Sequence, residues 1–174
     1  APQDHDIATN AHPDEVEKLF PKTVGVGKQF GVMLVIEKDH QFEVATFRSD
    51  AEYIDGRRPT NVTFSDAKTD AKRRDFTING LFLDPNTDTL HDWVGGQSDL
   101  VAKQLRTIGK PAERFGEDHL RLLRAVRFAA QLDFEIEPDT FDAVRELASK
   151  IQAVSGERIR DELLKLFRPP HAAR

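Results

Sequence analysis

Cysteine is absent from the 174 residues. Disulfides and thiolate–metal sites are excluded with it, and a reducing cytoplasm is the expected setting. There is no run of about 18 apolar residues and no signal-peptide pattern, so nothing points to a membrane or to export. Tryptophan and tyrosine occur once each, against 12 Phe. A surplus of positive charge is also missing: the formal net charge is -5. That argues against a protein that coats nucleic acid, because phosphate contacts need Lys and Arg. It leaves room for an enzyme with local basic patches and an acidic metal site. What is present, 39% apolar and 32% charged residues, is the balance of a globular chain. The length suits one sizeable domain or two small ones.

Pro13 to Phe20 carries Val16, Leu19 and Phe20 at helical spacing, with Pro13 in the first turn. Phe30–Glu37 and Gln41–Arg48 read as strands, and Lys38-Asp39-His40 as the hairpin turn between them. Ser49 to Asn61 reads as a polar loop. A helix is expected over Ser65–Asp75 with Ser65 as its cap, and strand character returns at Ile78–Leu83. His91 to Gly96 reads as a turn into a short helix. Beyond about Pro111 the period becomes helical throughout. Leu120, Leu123, Val126, Phe128, Ala129 and Leu132 mark one helix. Phe141, Val144, Leu147 and Ile151, opened by Pro138, mark a second. Ile159, Leu163, Leu166 and Phe167, capped by Ser155, mark a third. The fold class expected is α+β, a mixed head over residues 1–110 followed by an all-α part over 111–174.

Four segments carry groups able to do chemistry. Asp4 and Asp6 stand two apart, so on a strand both project from one face. Paired carboxylates repel unless a cation lies between them, and hard oxygen ligands suit Mg²⁺. A solvated acidic turn is the bland alternative for such a pair. A phosphatase-type nucleophile motif is disfavoured, because Ala8 stands where that motif needs Thr or Val. Glu43, mid-strand, faces away from Phe42 and Val44, and reads equally as an outward surface residue or as a third metal ligand. Lys72-Arg73-Arg74-Asp75 sets three cations before an apolar segment, suited to a polyanion such as triphosphate or RNA backbone, although a bare charge run of this kind is more often a solvated helix end. Asp118 and Arg121, three apart, are expected on one helix face, where the ordinary reading is a surface ion pair. A carboxylate acceptor beside a guanidinium donor can also read the edge of a base. Cytosine and adenine both offer an amino donor to the carboxylate; uracil and guanine offer a carbonyl there. Gly25-Val26-Gly27-Lys28 lacks the spacing of a phosphate-binding loop and reads as a turn.

The order of these segments is more specific than any one of them. Asp4-x-Asp6-Ile-Ala-Thr9 is followed by Phe42-Glu43 to Arg48 and Tyr53-Ile-Asp55-Gly-Arg57-Arg58-Pro59. Next come Arg73-Arg74-Asp75-Phe-Thr-Ile-Asn79 and Asp92-x-x-Gly95-Gly96. The series ends with Arg114-Phe-x-Glu117-Asp118-x-x-Arg121-x-x-Arg124-Ala-x-Arg127-Phe128 and Ser155-x-Glu157-Arg158-Ile159. This series closely resembles the class II tRNA nucleotidyltransferase and bacterial poly(A) polymerase family, from Asp4 to about Phe167. The resemblance implies a polymerase-β-like nucleotidyltransferase head, a small mixed sheet with helices, and a helical neck. It implies that Asp4 and Asp6 bind two Mg²⁺ ions, with Glu43 beside them as catalytic support. It implies a nucleotide pocket of Arg73, Arg74, Asp75 and Asn79, base selection by Asp118 and Arg121, and phosphate or helix contacts from Arg124 and Arg127. The family's upstream Gly-Gly-x-Val-Arg-Asp segment is absent, and both ends read as cut from something longer.

Within the family, the segment bearing Asp55, Arg57 and Arg58 resembles the flexible loop of CCA-adding enzymes, which serves the switch from CTP to ATP. The expected activity is therefore addition of C, C and A to tRNA 3′ ends from nucleoside triphosphates, in the cytoplasm, with no membrane partner. Poly(A) polymerase activity is the alternative, and an inactive nucleotide- or RNA-binding fragment is the alternative from another class.

Overall fold

The computed structural model describes residues 5–38, 40–50 and 62–167. Asp4 and the loop residues Asp55, Arg57 and Arg58 lie outside them. The described chain forms two compact units. The first holds the residues up to Asp50 together with Val62–Asp70, and the second runs from Ala71.

In the first unit the chain enters through β1 (Ile7–Thr9) and turns into α1 (Pro13–Leu19). Pro13 occupies the first turn of α1, where its missing N–H costs nothing. Glu15 reaches back to accept from the His12 backbone N–H at 2.7 Å. β2 (Thr23–Gly27), β3 (Val32–Glu37) and β4 (His40–Thr46) complete a sheet of order β1-β4-β3-β2. β3 and β4 are the expected hairpin, antiparallel with Glu37 opposite His40. β1 joins β4 in parallel. Alternation along the strands buries Met33, Val35 and Val44, which pack with Val16 of α1 as the core of this unit. Gly25–Gly27, expected as a turn, is strand. The register of β2 slips between Val24 and Gly27, and Lys28–Phe30 adds one 3-10 turn. β5 (Arg48–Asp50) and β6 (Val62–Phe64) pair at the two ends of the expected polar loop.

α2 (Ala67–Arg73) follows. Its cap is Asp66 and not Ser65: the Asp66 carboxylate accepts from the Thr69 N–H at 2.9 Å and the Thr69 hydroxyl at 3.0 Å. The second unit continues through a 3-10 turn at Thr77–Asn79, so strand begins at β7 (Leu81–Asp84) and not at Ile78. β7 pairs with β8 (Thr89–Asp92) before α3 (Gly96–Ala102) and β9 (Gln104–Leu105). The helical series comprises α4 (Pro111–Glu117), α5 (Leu120–Leu132), α6 (Pro138–Leu147) and α7 (Gly156–Leu166). A two-residue strand, β10 (Glu135–Ile136), interrupts that series and pairs with β9. Ser155 stands at the start of α7 in extended conformation, but its side chain makes no cap bond. The core of this unit is Phe76, Leu105, Phe115, Leu122, Ala125 and Ala143. No helix among the described residues is long and apolar enough to cross a membrane.

Candidate functional site

The acidic part starts at the mouth of β1. Ile7 lies beside Val44 and Ala8 beside Ala45. Continued one residue beyond β1, that register would set Asp6 level with Glu43, on the side of the strand pair opposite Val44. Glu43 alternates with buried Val44, so it faces away from the Val16–Met33–Val35–Val44 core. Asp6 and Glu43 are both exposed, and neither forms an ion pair with another described residue. Among the described residues no group of three or more His, Asp or Glu side chains converges as a metal cage. Two carboxylates are still the set that Mg²⁺ takes when substrate phosphates complete its shell.

The segment after α2 is organised by Asp75. The residue is 7% exposed. One oxygen accepts from the Phe76 N–H at 2.9 Å and from Asn79 Nδ2 at 3.0 Å. The other accepts from Arg124 Nε at 2.7 Å and Nη2 at 2.7 Å. Burial pushes this carboxyl's pKa upward. The Arg124 charge and the bonds from Asn79 and Arg124 outweigh burial, and the group is held below the usual carboxylate range. Arg74 donates to the Asn79 carbonyl at 3.0 Å and lies 4.6 Å over the Phe82 ring.

Arg127 donates from Nε to Glu162 at 2.5 Å and from Nη1 to Gln131 at 2.8 Å. It lies 4.0 Å over the ring of Phe128. Glu162, 4% exposed, also stands 3.9 Å from Arg124. Asp75, Asn79, Arg124 and Arg127, which the family pattern groups at the nucleotide, are thus bonded among themselves and to Glu162. Sequence reading missed Glu162. Its signal was a charge on the apolar stripe of α7, between Ile159 and Leu166.

Asp118 and Arg121 do not share a helix face. Asp118 closes α4 in an extended conformation, and α5 begins only at Leu120. Arg158 of α7 grips the Asp118 carboxylate at two points, Nη1 to Oδ1 at 3.2 Å and Nη2 to Oδ2 at 2.7 Å. The Leu120 N–H donates to the same carboxylate at 3.0 Å. Arg121 instead pairs with Glu117 and donates to the Arg114 carbonyl at 3.0 Å. Glu117 and Arg158 belong to the motifs quoted above, but spacing alone assigned neither a role.

Asp92 and the glycines after it brace this region. Asp92 Oδ1 accepts from the N–H groups of Val94, Gly95 and Gly96 at 3.1, 2.8 and 3.0 Å; Oδ2 accepts from Gln97 at 2.9 Å. Partial burial pushes the Asp92 carboxyl up, but these four donors together hold it below the usual range. Gly95 sits at φ 82°, in the left-handed region. A Cβ on Gly96 would come within 2.3 Å of the Thr77 carbonyl oxygen, so only glycine lets the turn at Thr77–Asn79 lie this close. Thr77 in turn donates to Asp99 at 2.6 Å.

The family described as the poly A polymerase head domain matches residues 1–106, and the family described as the probable RNA and SrmB-binding site of polymerase A matches residues 133–174. A CCA-adding enzyme of Streptococcus uberis is 47% identical over 169 residues, 97% of this chain and 42% of the relative. The crystal structure of the Bacillus stearothermophilus CCA-adding enzyme in complex with CTP superposes with a TM-score of 0.90 at 39% identity, covering 100% of this chain and 42% of that one. The Thermotoga maritima CCA-adding enzyme complexed with tRNA superposes at 0.75 with 28% identity, covering 97% and 39%. The chain therefore spans about two fifths of the length of the relatives it matches. The fold is the polymerase-β-like nucleotidyltransferase head with helices following it. With the head-domain match over most of its length and 47% identity across nearly all of it, the chain belongs to the poly A polymerase head-domain family, which includes the CCA-adding enzymes.

Proposed function

We propose that this chain carries the metal-binding and nucleotide-selecting parts of an enzyme that adds C, C and A to tRNA 3′ ends from CTP and ATP. The observation that carries the reading is the arrangement of charge. Asp6 and Glu43, at the entry to β1 and on β4, are exposed carboxylates with no ion-pair partner among the described residues, whereas Asp118 and Arg121 are each held by a partner that fixes the side chain. The relatives solved in complex with CTP and with tRNA support the substrates. Residues 1–110 form the head in this reading and 111–174 the neck.

Asp4 and Asp6 would hold two Mg²⁺ ions, with Glu43 beside them. Bound there, such ions would supply positive charge toward a nucleotide's phosphates and Lewis-acid activation of a hydroxyl. The protein's own contribution is placement. Arg73 and Arg74 offer charge to the triphosphate. Asp118 accepts from the amino group of C or A, and Arg121 donates to the neighbouring acceptor. Arg74 is steadied by the Asn79 carbonyl, Asn79 by Asp75 and Asp75 by Arg124, while Arg127 is held by Glu162. Uracil or guanine would set a carbonyl against the Asp118 carboxylate, leaving both unsatisfied. The loop of Asp55, Arg57 and Arg58 serves the change from C to A.

The test is extension of tRNA lacking its last three nucleotides, with Mg²⁺ and each nucleoside triphosphate singly and together. Ordered C, C, A incorporation is expected. Runs of A on unrelated RNA would identify a poly(A) polymerase instead, and nucleotide binding without incorporation a binding fragment.

A further inference from the structure

Arg114 has no part in the scheme above, yet it joins the two halves of the nucleotide site. It lies on α4, and its side chain is only 14% exposed. Nη1 donates to the Arg73 carbonyl at 3.0 Å, and Nη2 to the Lys72 carbonyl at 2.9 Å. These are carbonyls at the C-terminal end of α2, which have no partner within the helix. Nε donates to the Ile108 carbonyl at 3.0 Å. On the same guanidinium, Nη1 also donates to Glu117 Oε2 at 2.9 Å. That oxygen is the one paired with Arg121.

We infer that Arg114 is a positioning residue that sets nucleotide selectivity by fixing the base-reading Arg121 relative to the backbone of Arg73, the residue read above as offering charge to the triphosphate. This rests on the reading of those two residues under Proposed function. The physical reason is the planar fork of the guanidinium. One rigid group can bind two adjacent carbonyls and a carboxylate at once, which an ammonium on a flexible stem cannot do in fixed geometry. A nucleotide holds its base and its phosphates at a limited separation. A direct link between the end of α2 and the Glu117–Arg121 pair therefore acts as a gauge for that separation. Asp118 is held independently by Arg158, so loss of Arg114 should disturb one reader and leave the other in place.

The experiment titrates the protein with CTP, ATP, UTP and GTP in the absence of RNA, for the unaltered chain and for Arg114→Lys, Glu117→Gln and the double variant. Thermal unfolding is followed alongside. Arg114→Lys should lower the CTP-to-UTP affinity ratio about tenfold. Glu117→Gln should lower it by a similar factor, and the double variant no further, because both break one link. A ratio unchanged in Arg114→Lys, with only a lower melting temperature, would overturn the inference and leave a plain structural role. Losses that multiply in the double variant would also overturn it. If Arg114→Lys does not fold, Glu117→Gln decides, and a full ratio there is the overturning result. Lack of preference in the unaltered chain would remove both this inference and the reading beneath it; preference retained in the variants removes this inference alone.

Discussion

On the sheet of the first unit, Asp6 and Glu43 stand in solvent with no ion-pair partner among the described residues. In the second unit, Asp75 and Glu162 are buried under arginines, and Glu117 is shared between two of them. The same residue types thus do different work. A carboxylate left unpaired in water keeps its charge and its lone pairs available to a cation or a substrate. A carboxylate buried against guanidinium groups is fixed in position, and its partner with it. Burial of such pairs adds little net stability, because desolvation offsets attraction. It does make each member costly to remove, and it fixes geometry. The first arrangement suits an ion that must arrive and leave with substrate; the second suits a pocket that must measure its ligand.

This contrast can be broken most severely at Glu162. Glu162→Ala would leave Arg127 buried without its carboxylate, and should cost about 3–5 kcal/mol in denaturant unfolding. A loss below about 1 kcal/mol, the range of a surface pair, would mean that the Arg124–Glu162–Arg127 group is not a buried scaffold. Gly96→Ala comes next. Its Cβ meets backbone at Thr77, not a yielding side chain, so about 2–3 kcal/mol of destabilisation is expected in the same assay.

Acid sharpens the comparison without mutation. The Asp75 and Asp92 carboxyls both lie below their ordinary values in the folded state. Their contribution is therefore complete above the unfolded carboxylate range, near pH 4, and is lost as pH falls through the lower folded values. Stability measured from pH 7 downward should hold to about pH 4 and then decline, and Asp75→Asn should flatten that decline. The smallest stability effect belongs to Asp6→Asn, within about 0.5 kcal/mol, because an exposed carboxylate without a partner supports no fold. The same variant should weaken Mn²⁺ binding, followed by electron paramagnetic resonance, by at least about tenfold. Destabilisation together with unchanged Mn²⁺ binding would place Asp6 in the scaffold class.

Much of this architecture was legible beforehand. The β3–β4 hairpin followed from two alternating apolar runs around a short polar turn, and α5, α6 and α7 from apolar residues at helical spacing. Errors fell where tertiary contacts overrode local pattern. Gly25 and Gly27 look like turn residues, but pairing with β3 draws them into a strand. Ser65 and Asp66 are both capable caps, and only the geometry of the first turn chose Asp66. Asp118 and Arg121 have helical spacing, yet α4 ends between Glu117 and Asp118 and the spacing no longer sets their direction.

By itself the sequence determined the class of fold, the family and the acid and base inventory, because these depend on periodicity and on the order of motifs. It could not determine which charges meet. Glu162 and Arg127 are 35 residues apart, Arg158 and Asp118 40, and Arg114 and Arg73 41. Pairing across such distances depends on how helices pack around Phe76, Leu105 and Phe115. Tertiary structure alone separates the exposed carboxylates of the sheet from the buried ones among the helices, because burial is a property of the packed chain and not of the residue.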